Sequence, residues 1–447
     1  MAEAETHGYF PSNYTATQDP LLLKQLEWFK DQKLALMMHW GVYSQMGIIE
    51  SWPLVDQDKS WSRSDVDWNS GDDFKKEYRS MNRSFNPVRF MPEQWAALAA
   101  DNGFKYLIFT TKHHDGFCMY DSKYTDFKIT SPDCPFSANK NADAVKAVFD
   151  AFRAKGVKIA AYFSKSDWNN EDYWENKGIG YETTRNPSYD TAANPEKWER
   201  FAQFVKNQIL ELVENYGRLE VIWLDGGQVC RNNKQDIHIE DIIEAARKIQ
   251  PWLLSADRTV GGICENYITP EQTVPSKPLE VPWESCITMG TGFSYRYDET
   301  YKPLGELIVL LIDIVAKGGN LALNVAPGPD GRIGQTAIER IKGIGSWLKI
   351  NGEAIYGTRP AAPYRAGNFA FTQKDGNVYA IRIYNETDCE CGCFTINDFA
   401  RADEVKDITA LSNGESLKFQ CAGGALYVSA RPELKTNPYA DAFKLSF

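Results

Sequence analysis

The stretch Lys112 to Phe117, KHHDGF, follows an apolar run, Tyr106 to Thr110, whose length and composition predict a buried strand. Two adjacent histidines, a lysine and an aspartate at the C-terminal end of such a strand indicate a site. The pattern recurs. Leu219, Val221, Ile222, Trp223 and Leu224 form an apolar run that stops at Asp225, with Gly226 and Gly227 behind it, and Leu34 to Met38 closes on His39. Polar groups appearing just where parallel strands end mark the active face of a (β/α)8 barrel.

Working outward, Pro92 to Asn102 has helical spacing, with Pro92 near its start and Gly103 after it, and delivers the chain into the strand before KHHDGF. Asn141 to Lys155, closed by Gly156, precedes the strand Val157 to Phe163. Asn194 and Pro195 read as N-cap and first residue of a long helix buried along Trp198, Phe201, Val205, Leu212 and Val213. Helices are also expected over Leu21 to Phe29, Glu240 to Ile249, Leu304 to Lys317 and Gln335 to Lys349, and strands over Trp252 to Ala256 and Asn320 to Val325. Strands alternating with helices at this spacing predict an α/β chain, a (β/α)8-like TIM barrel over residues 1–351. Gly47 to Phe85 lacks sustained periodicity, and so long a stretch is expected to shape a site or carry short helices.

After Gly352 the texture changes. Asn368 to Phe371 and Val378 to Tyr384 flank the turn dipeptide Asp375-Gly376 with alternating apolar positions, and Leu417 to Phe419 and Gly424 to Ala430 continue it. Residues 352–447 are therefore expected to form a small antiparallel β-sandwich domain.

Composition narrows the function. A net charge of -11 argues against a nucleic-acid partner, which needs a basic footprint, and no membrane partner is expected. The oligomeric state is left open. Nine cysteines scattered over 447 residues are not a disulfide framework. Cys389, Cys391 and Cys393 alternate; they suit either a soft-metal site or the buried face of a strand, and the second is preferred. Met1 to Pro20 has neither a basic start nor an apolar core, so no signal peptide is expected in this chain, and the compartment is open between the cytoplasm and sites reached through a removed signal.

Three of the five histidines, His39, His113 and His114, fall at predicted strand ends together with Asp225. Histidine and aspartate together can bind zinc, but neither HxH nor HExxH spacing is present, and the reading prefers no metal and no cofactor. At these residues the sequence resembles the glycoside hydrolase family 29 α-L-fucosidases: HWGVYS at His39, FNP at Phe85 with EQWAALAADNGFKYLIFTTKHHDGF, VIWLDG at Val221, PWESC at Pro282 and LIDIVAKGGNLALNVAPGPDG from Leu311. The resemblance implies a retaining exo-glycosidase that removes terminal α-L-fucosyl groups from oligosaccharides or glycoconjugates. It also implies Asp225 as nucleophile, His39, His113 and His114 as ligands of fucose hydroxyls, and Trp223, Tyr162 and Arg258 as pocket residues. Glu50 and Trp52, in IESWP, match the family pattern loosely and are expected to close the pocket. Phe293 and Ser294 stand where relatives often have tryptophan and glycine.

A retaining glycosidase needs an ionised carboxylate to attack the anomeric carbon and a protonated carboxyl to donate to the leaving oxygen. Asp225 suits the first role. For the second, Glu284 is preferred because it sits between Trp283 and Ser285 beside an apolar patch; Glu271, on a loop, comes second and Glu265 third. Three other readings stay open: a sugar-binding protein without turnover, a metal-dependent hydrolase, and α-L-galactosidase activity, since that sugar differs by one hydroxyl.

Overall fold

The computed structural model describes residues 14–64, 71–384 and 393–447. The alternation holds through α1 (Pro20–Gln32), β1 (Leu34–Met38), α2 (Lys59–Ser62), α3 (Gly71–Ser80), α4 (Pro92–Asp101), β2 (Tyr106–Lys112), α5 (Ala144–Ala154), β3 (Lys158–Ser164), α6 (Pro195–Asn215), β4 (Val221–Asp225), α7 (Ile239–Ile249), β5 (Leu254–Asp257), β6 (Glu284–Thr288), α8 (Leu304–Ala316), β7 (Asn320–Asn324) and α9 (Gln335–Asn351). The seven strands form one parallel, curled sheet in the order β5-β4-β3-β2-β1-β7-β6.

Between its edges β5 and β6 lies an irregular eighth stave, residues 266–272. The Asn266 amide donates to the Ser255 carbonyl at 2.8 Å, while the Ile268 amide donates to the Pro282 carbonyl and the Ile268 carbonyl accepts from the Glu284 amide of β6, both at 3.0 Å. Isolated parallel bridges join Ile268 to Trp283 and Glu271 to Cys286. The ring is thus a (β/α)8-like barrel. The sequence pattern misses both β6 and this stave: ESCIT is short and largely polar, and Pro270 breaks the ladder.

Alternation along each strand sorts two layers. Leu36 and Met38, Leu107 and Phe109, Ile222 and Leu224 point outward under the helices. Ala35 and Met37, Tyr106 and Ile108, Ala160 and Tyr162, Val221 and Trp223 point inward. Helix α1 belongs to the inner cluster: Leu22, Leu26 and Phe29 plug the barrel's N-terminal end, with Phe29 stacked on Tyr267 at 4.1 Å. Its start is set by Asp19, whose carboxylate accepts the Leu21 amide at 2.8 Å, with Pro20 next. The expected cap of α6 differs. Pro195 is its first residue, but the Asn194 side chain donates to the Asp190 carbonyl instead of capping the helix.

Beyond α9 come β8 (Arg359–Ala366), β9 (Phe369–Lys374), β10 (Asn377–Ile383), β11 (Phe394–Ile396), β12 (Asp407–Ala410), β13 (Lys418–Ala422), β14 (Ala425–Ser429) and β15 (Ala440–Ser446). They make two antiparallel sheets, β12-β15-β10-β9-β8 and β11-β14-β13, around a core that includes Phe371, Phe394, Ile408, Leu426 and Leu445. This is the β-sandwich. The turn joining β9 and β10 has both central residues at positive φ, Asp375 at 50° and Gly376 at 80°, as a two-residue hairpin requires. The inner face of Tyr379, Ile381, Ala440 and Ala442 joins the barrel's outer core, so the sandwich leans on the barrel through a packed interface. Cys389 and Cys391 lie outside the described residues, and Cys393 is exposed. No helix among the described residues is long and apolar enough to cross a membrane.

Candidate active site

The strand ends converge on a cavity of about 330 Å³ lined by His39, Glu50, Trp52, His113, His114, Tyr162, Trp223, Asp225, Arg258 and Glu271. His39 follows β1, His113 and His114 follow β2, Tyr162 lies near the end of β3, Asp225 closes β4 and Arg258 follows β5. Residue after residue, this is the C-terminal rim of the barrel.

Asp225 is the electrostatic centre. Its Oδ1 accepts from Arg258 Nη1 at 2.9 Å and its Oδ2 from the Tyr162 hydroxyl at 2.5 Å, with His114 Nε2 at 3.4 Å. Burial alone would raise its pKa, but Arg258, His114 and Tyr162 outweigh it and hold the carboxyl well below the usual carboxylate range. Arg258 lies over the Trp223 ring at 4.4 Å, donates through Nε to Thr269 at 3.1 Å, and pairs through Nη2 with Glu271. One guanidinium therefore carries both carboxylates. A Cβ on Gly227 would lie 1.8 Å from Thr259 Oγ1, so only glycine lets the chain behind Asp225 pass this close to the segment after β5.

The histidines are fixed from behind. His39 Nδ1 meets Asn324 Oδ1 at 2.8 Å, and the same amide donates to the Phe293 carbonyl at 2.7 Å. His39 therefore carries its proton on Nδ1, leaving Nε2 as an acceptor. Its pKa is pushed down to about 4 by burial, so the ring is neutral at ordinary pH. His113 Nδ1 meets Ser51 Oγ at 2.6 Å and His114 Nδ1 meets Ser166 Oγ at 2.7 Å. Burial pushes His113 well down, with His114 and His39 adding to the effect. Asn324, Ser51 and Ser166 escaped the sequence reading. The signal available was position alone, since Asn324 ends β7 and Ser166 lies two residues past β3.

Glu50 enters from the Gly47 to Phe85 stretch, which carries α2, α3 and several single turns. It is buried, its amide donates to Ser294 Oγ at 3.1 Å, and its Oε1 has no partner among the described residues. Burial pushes its pKa up to about 8; the Ser294 bonds oppose this and the charges of Glu271 and Asp225 add to it. The folded state therefore favours the protonated acid. Its contribution to stability is full below its ordinary value of 4.5 and is lost as pH rises through about 8. Stability is expected to decline by an amount on the order of a few kcal/mol between about pH 5 and 8, and Glu50→Gln to remove that share. Thermal unfolding across this range checks it; an equally steep profile in the variant contradicts it.

The expectation for Glu284 needs correction. It opens β6 rather than closing it, so it points into the barrel interior beneath the pocket, fully buried. Its carboxyl accepts from Trp223 Nε1 at 3.1 Å and from the Tyr106 hydroxyl, and it does not line the cavity. Burial does push its pKa up to about 7, as the reading from sequence anticipated, but at the wrong end of the strand. Glu265 is also elsewhere: its carboxylate accepts the Gly261 amide at 2.6 Å and ties the loop after β5 to itself. Of the three glutamates, only Glu271 reaches the pocket, through the irregular stave.

Donor atoms of His113, His114 and Asp225 lie within 4.8 Å of one another, a spacing a cation can use. However, both Asp225 oxygens are engaged by Arg258 and Tyr162, and a divalent ion there would face the guanidinium directly. The donor set fits a hydrogen-bonded organic ligand better than a metal.

A barrel whose strand ends bring an ionised carboxylate, a second carboxyl and a ring of hydrogen-bonding and aromatic side chains into one cavity is the framework of a glycoside hydrolase. The alpha-L-fucosidase family profile matches residues 2–353, and the chain belongs to that family, glycoside hydrolase family 29. It is 27% identical over 393 residues to an alpha-L-fucosidase of Branchiostoma floridae, covering 83% of this chain and 82% of that one. It is 28% identical over 392 residues to the plasma alpha-L-fucosidase of Homo sapiens, covering 83% and 79%. Among solved structures, alpha-L-fucosidase isoenzyme 1 from Paenibacillus thiaminolyticus superposes with a TM-score of 0.79 at 26% identity, covering 95% of this chain and 99% of that one. The Thermotoga maritima alpha-fucosidase in complex with a mechanism based inhibitor gives 0.77 at 25%, covering 97% and 100%.

Proposed function

We propose that this protein is a retaining, exo-acting α-L-fucosidase that removes terminal α-L-fucosyl residues from fucosylated oligosaccharides or glycoconjugates by double displacement. Asp225 attacks the anomeric carbon, and Glu271 replaces Glu284 as the acid/base. The observation that carries this reading is the shared guanidinium: Arg258 holds Asp225 ionised and anchors Glu271 at the mouth of the same cavity.

The closed part of the pocket suits one deoxy sugar. His39 offers an acceptor through Nε2, Glu50 in its acid form offers a donor, and His113 and His114 present imidazoles held by serines. Trp223 stacks on Tyr162 at 5.1 Å and supplies an apolar wall. In the first step the Asp225 carboxylate bonds to the anomeric carbon while the glycosidic oxygen leaves with the proton of Glu271. In the second, Glu271 takes a proton from water as that water displaces Asp225. Donation requires the Glu271 carboxyl to carry a proton and turn from Arg258 toward the leaving oxygen. Its side chain is 31% exposed at the rim, where rotation meets solvent rather than packed core. No step needs a cofactor.

Hydrolysis of an aryl α-L-fucoside followed by NMR is expected to release α-L-fucose first, with no loss on chelation. The β anomer as first product refutes double displacement, and chelator-sensitive turnover returns the site to metal chemistry.

A further inference from the structure

Burial divides the residues lining the cavity in two. His39, Glu50, His113, His114, Tyr162, Trp223 and Arg258 are buried with Asp225 partly open beside them, whereas Trp52, Gln228, Thr259, Glu271 and Phe293 are partly open and Arg185 is exposed. The second set is the mouth. If the terminal sugar fills the closed part and Glu271 meets its leaving oxygen, the departing group leaves across this ring. The inference therefore rests on the proposed reaction.

One mouth residue is built as a platform. Arg185 sits with its guanidinium over the Trp52 ring at 4.6 Å. Asp58 grips its edge through two bonds, Nε to Oδ2 at 2.7 Å and Nη2 to Oδ1 at 3.1 Å. Asp58 is itself only 12% exposed and also accepts from Trp61 Nε1 at 3.3 Å, so the anchor is fixed while the Arg185 side chain stays 44% exposed. Among the described residues nothing bonds Nη1. The Arg185 carbonyl in turn accepts from the Tyr173 hydroxyl at 2.8 Å and lies 3.5 Å from the Gln228 amide. A flat donor surface, preorganised at both backbone and side chain, is thus left facing the mouth. Ordering it at the moment of binding costs little.

We propose that Arg185 is a specificity-determining residue for the leaving group, binding a neutral, hydroxyl-bearing sugar through Nη1 and the guanidinium face turned away from Trp52, with Gln228 alongside. The Asp58 pair compensates the charge of Arg185, and Asp225 and Glu271 stand nearby, so a carboxylated or sulfated leaving sugar is disfavoured.

The test compares kcat/KM for an aryl α-L-fucoside with kcat/KM for a panel of neutral α-L-fucosyl disaccharides, in the wild type, Arg185→Met, Arg185→Lys and Gln228→Ala. A hydrogen bond from a charged donor corresponds to roughly 10- to 100-fold. The disaccharide-to-aryl ratio for the preferred disaccharide is expected to fall by about that factor in Arg185→Met and to be only partly restored in Arg185→Lys, whose ammonium cannot span Asp58 and lie flat. Gln228→Ala should lower the ratio less, and it carries the test should Arg185→Met fail to fold. An unchanged ratio overturns the proposal. So does a rise in the inhibition constant of free L-fucose as large as the loss on disaccharides, because Arg185 would then act through Trp52 on the inner pocket. A preference for an acidic leaving sugar that disappears in Arg185→Met overturns the neutral assignment. Should the wild type cleave no α-L-fucoside at all, the fucosidase reading fails, and this inference with it; if it cleaves both substrates and the ratio holds, only this inference fails.

Discussion

Asp225→Ala is expected to lower kcat on an aryl α-L-fucoside by about 10⁴-fold or more while the fold stays intact, because removing a nucleophile abolishes the covalent route rather than weakening a contact. The folded state should survive. Asp225 closes a strand at a solvent-facing rim, and its loss leaves Arg258 still paired with Glu271. Tyr162 loses an acceptor but retains a 3.3 Å contact with the Ser164 hydroxyl. Some destabilisation follows at neutral pH. The native carboxyl titrates well below its ordinary value of 3.8, so its stabilising share is present above that pH and lost on acidification. The variant should therefore lose melting temperature at pH 7, and the gap to the wild type should begin to narrow only as pH falls below 3.8 and close further down, as the native carboxyl itself takes up its proton. Added azide should restore turnover by replacing the missing carboxylate, and the product should then be the fucosyl azide of inverted configuration. Activity within tenfold of wild type, or an azide product with retained configuration, contradicts the assignment of Asp225.

The rim of the barrel was legible for a simple physical reason. A buried strand is apolar until it reaches the face where ligands bind, so His39, His113, His114 and Asp225 stand out as polar punctuation at the ends of runs such as Tyr106 to Thr110. What failed was direction. In PWESC the apolar patch around Glu284 was visible, but not which end of its strand it occupied. In β6, only five residues long, the two ends differ between a pocket and a sealed core. The reading of a raised pKa was correct and still uninformative, because burial raises a carboxyl in either place. Glu271 came second for the opposite reason. ITPEQ lies on a stave with two isolated bridges and a proline, which has no strand signature, and its position depends on Arg258 thirteen residues earlier. Ser51, Ser166, Asn324 and Arg185 act through contacts between segments far apart in the chain, and no local pattern encodes those.

A pair of substitutions tests the acid/base assignment. Glu271→Gln should cost about 10² to 10⁴-fold on disaccharides, whose leaving groups need the proton, and far less on an aryl fucoside with an acidic phenol. The dependence of rate on leaving-group pKa should steepen. Glu271→Ala should also accept azide, giving the retained fucosyl azide because Asp225 still forms the first bond. Glu284→Gln should behave differently. Its amide still accepts from Trp223 Nε1 through the oxygen and donates to the Tyr106 oxygen through the nitrogen, so activity should stay within about tenfold and show no dependence on the leaving group. Glu284→Ala instead removes the acceptor of two buried donors and opens a cavity under Trp223, with a stability loss of about 2 to 5 kcal/mol visible as a lower melting temperature. The two sites thus separate chemistry from support. If the leaving-group dependence and azide rescue appear at Glu284 and not at Glu271, the barrel interior must open during turnover, and the shared Arg258 geometry is then not the catalytic one.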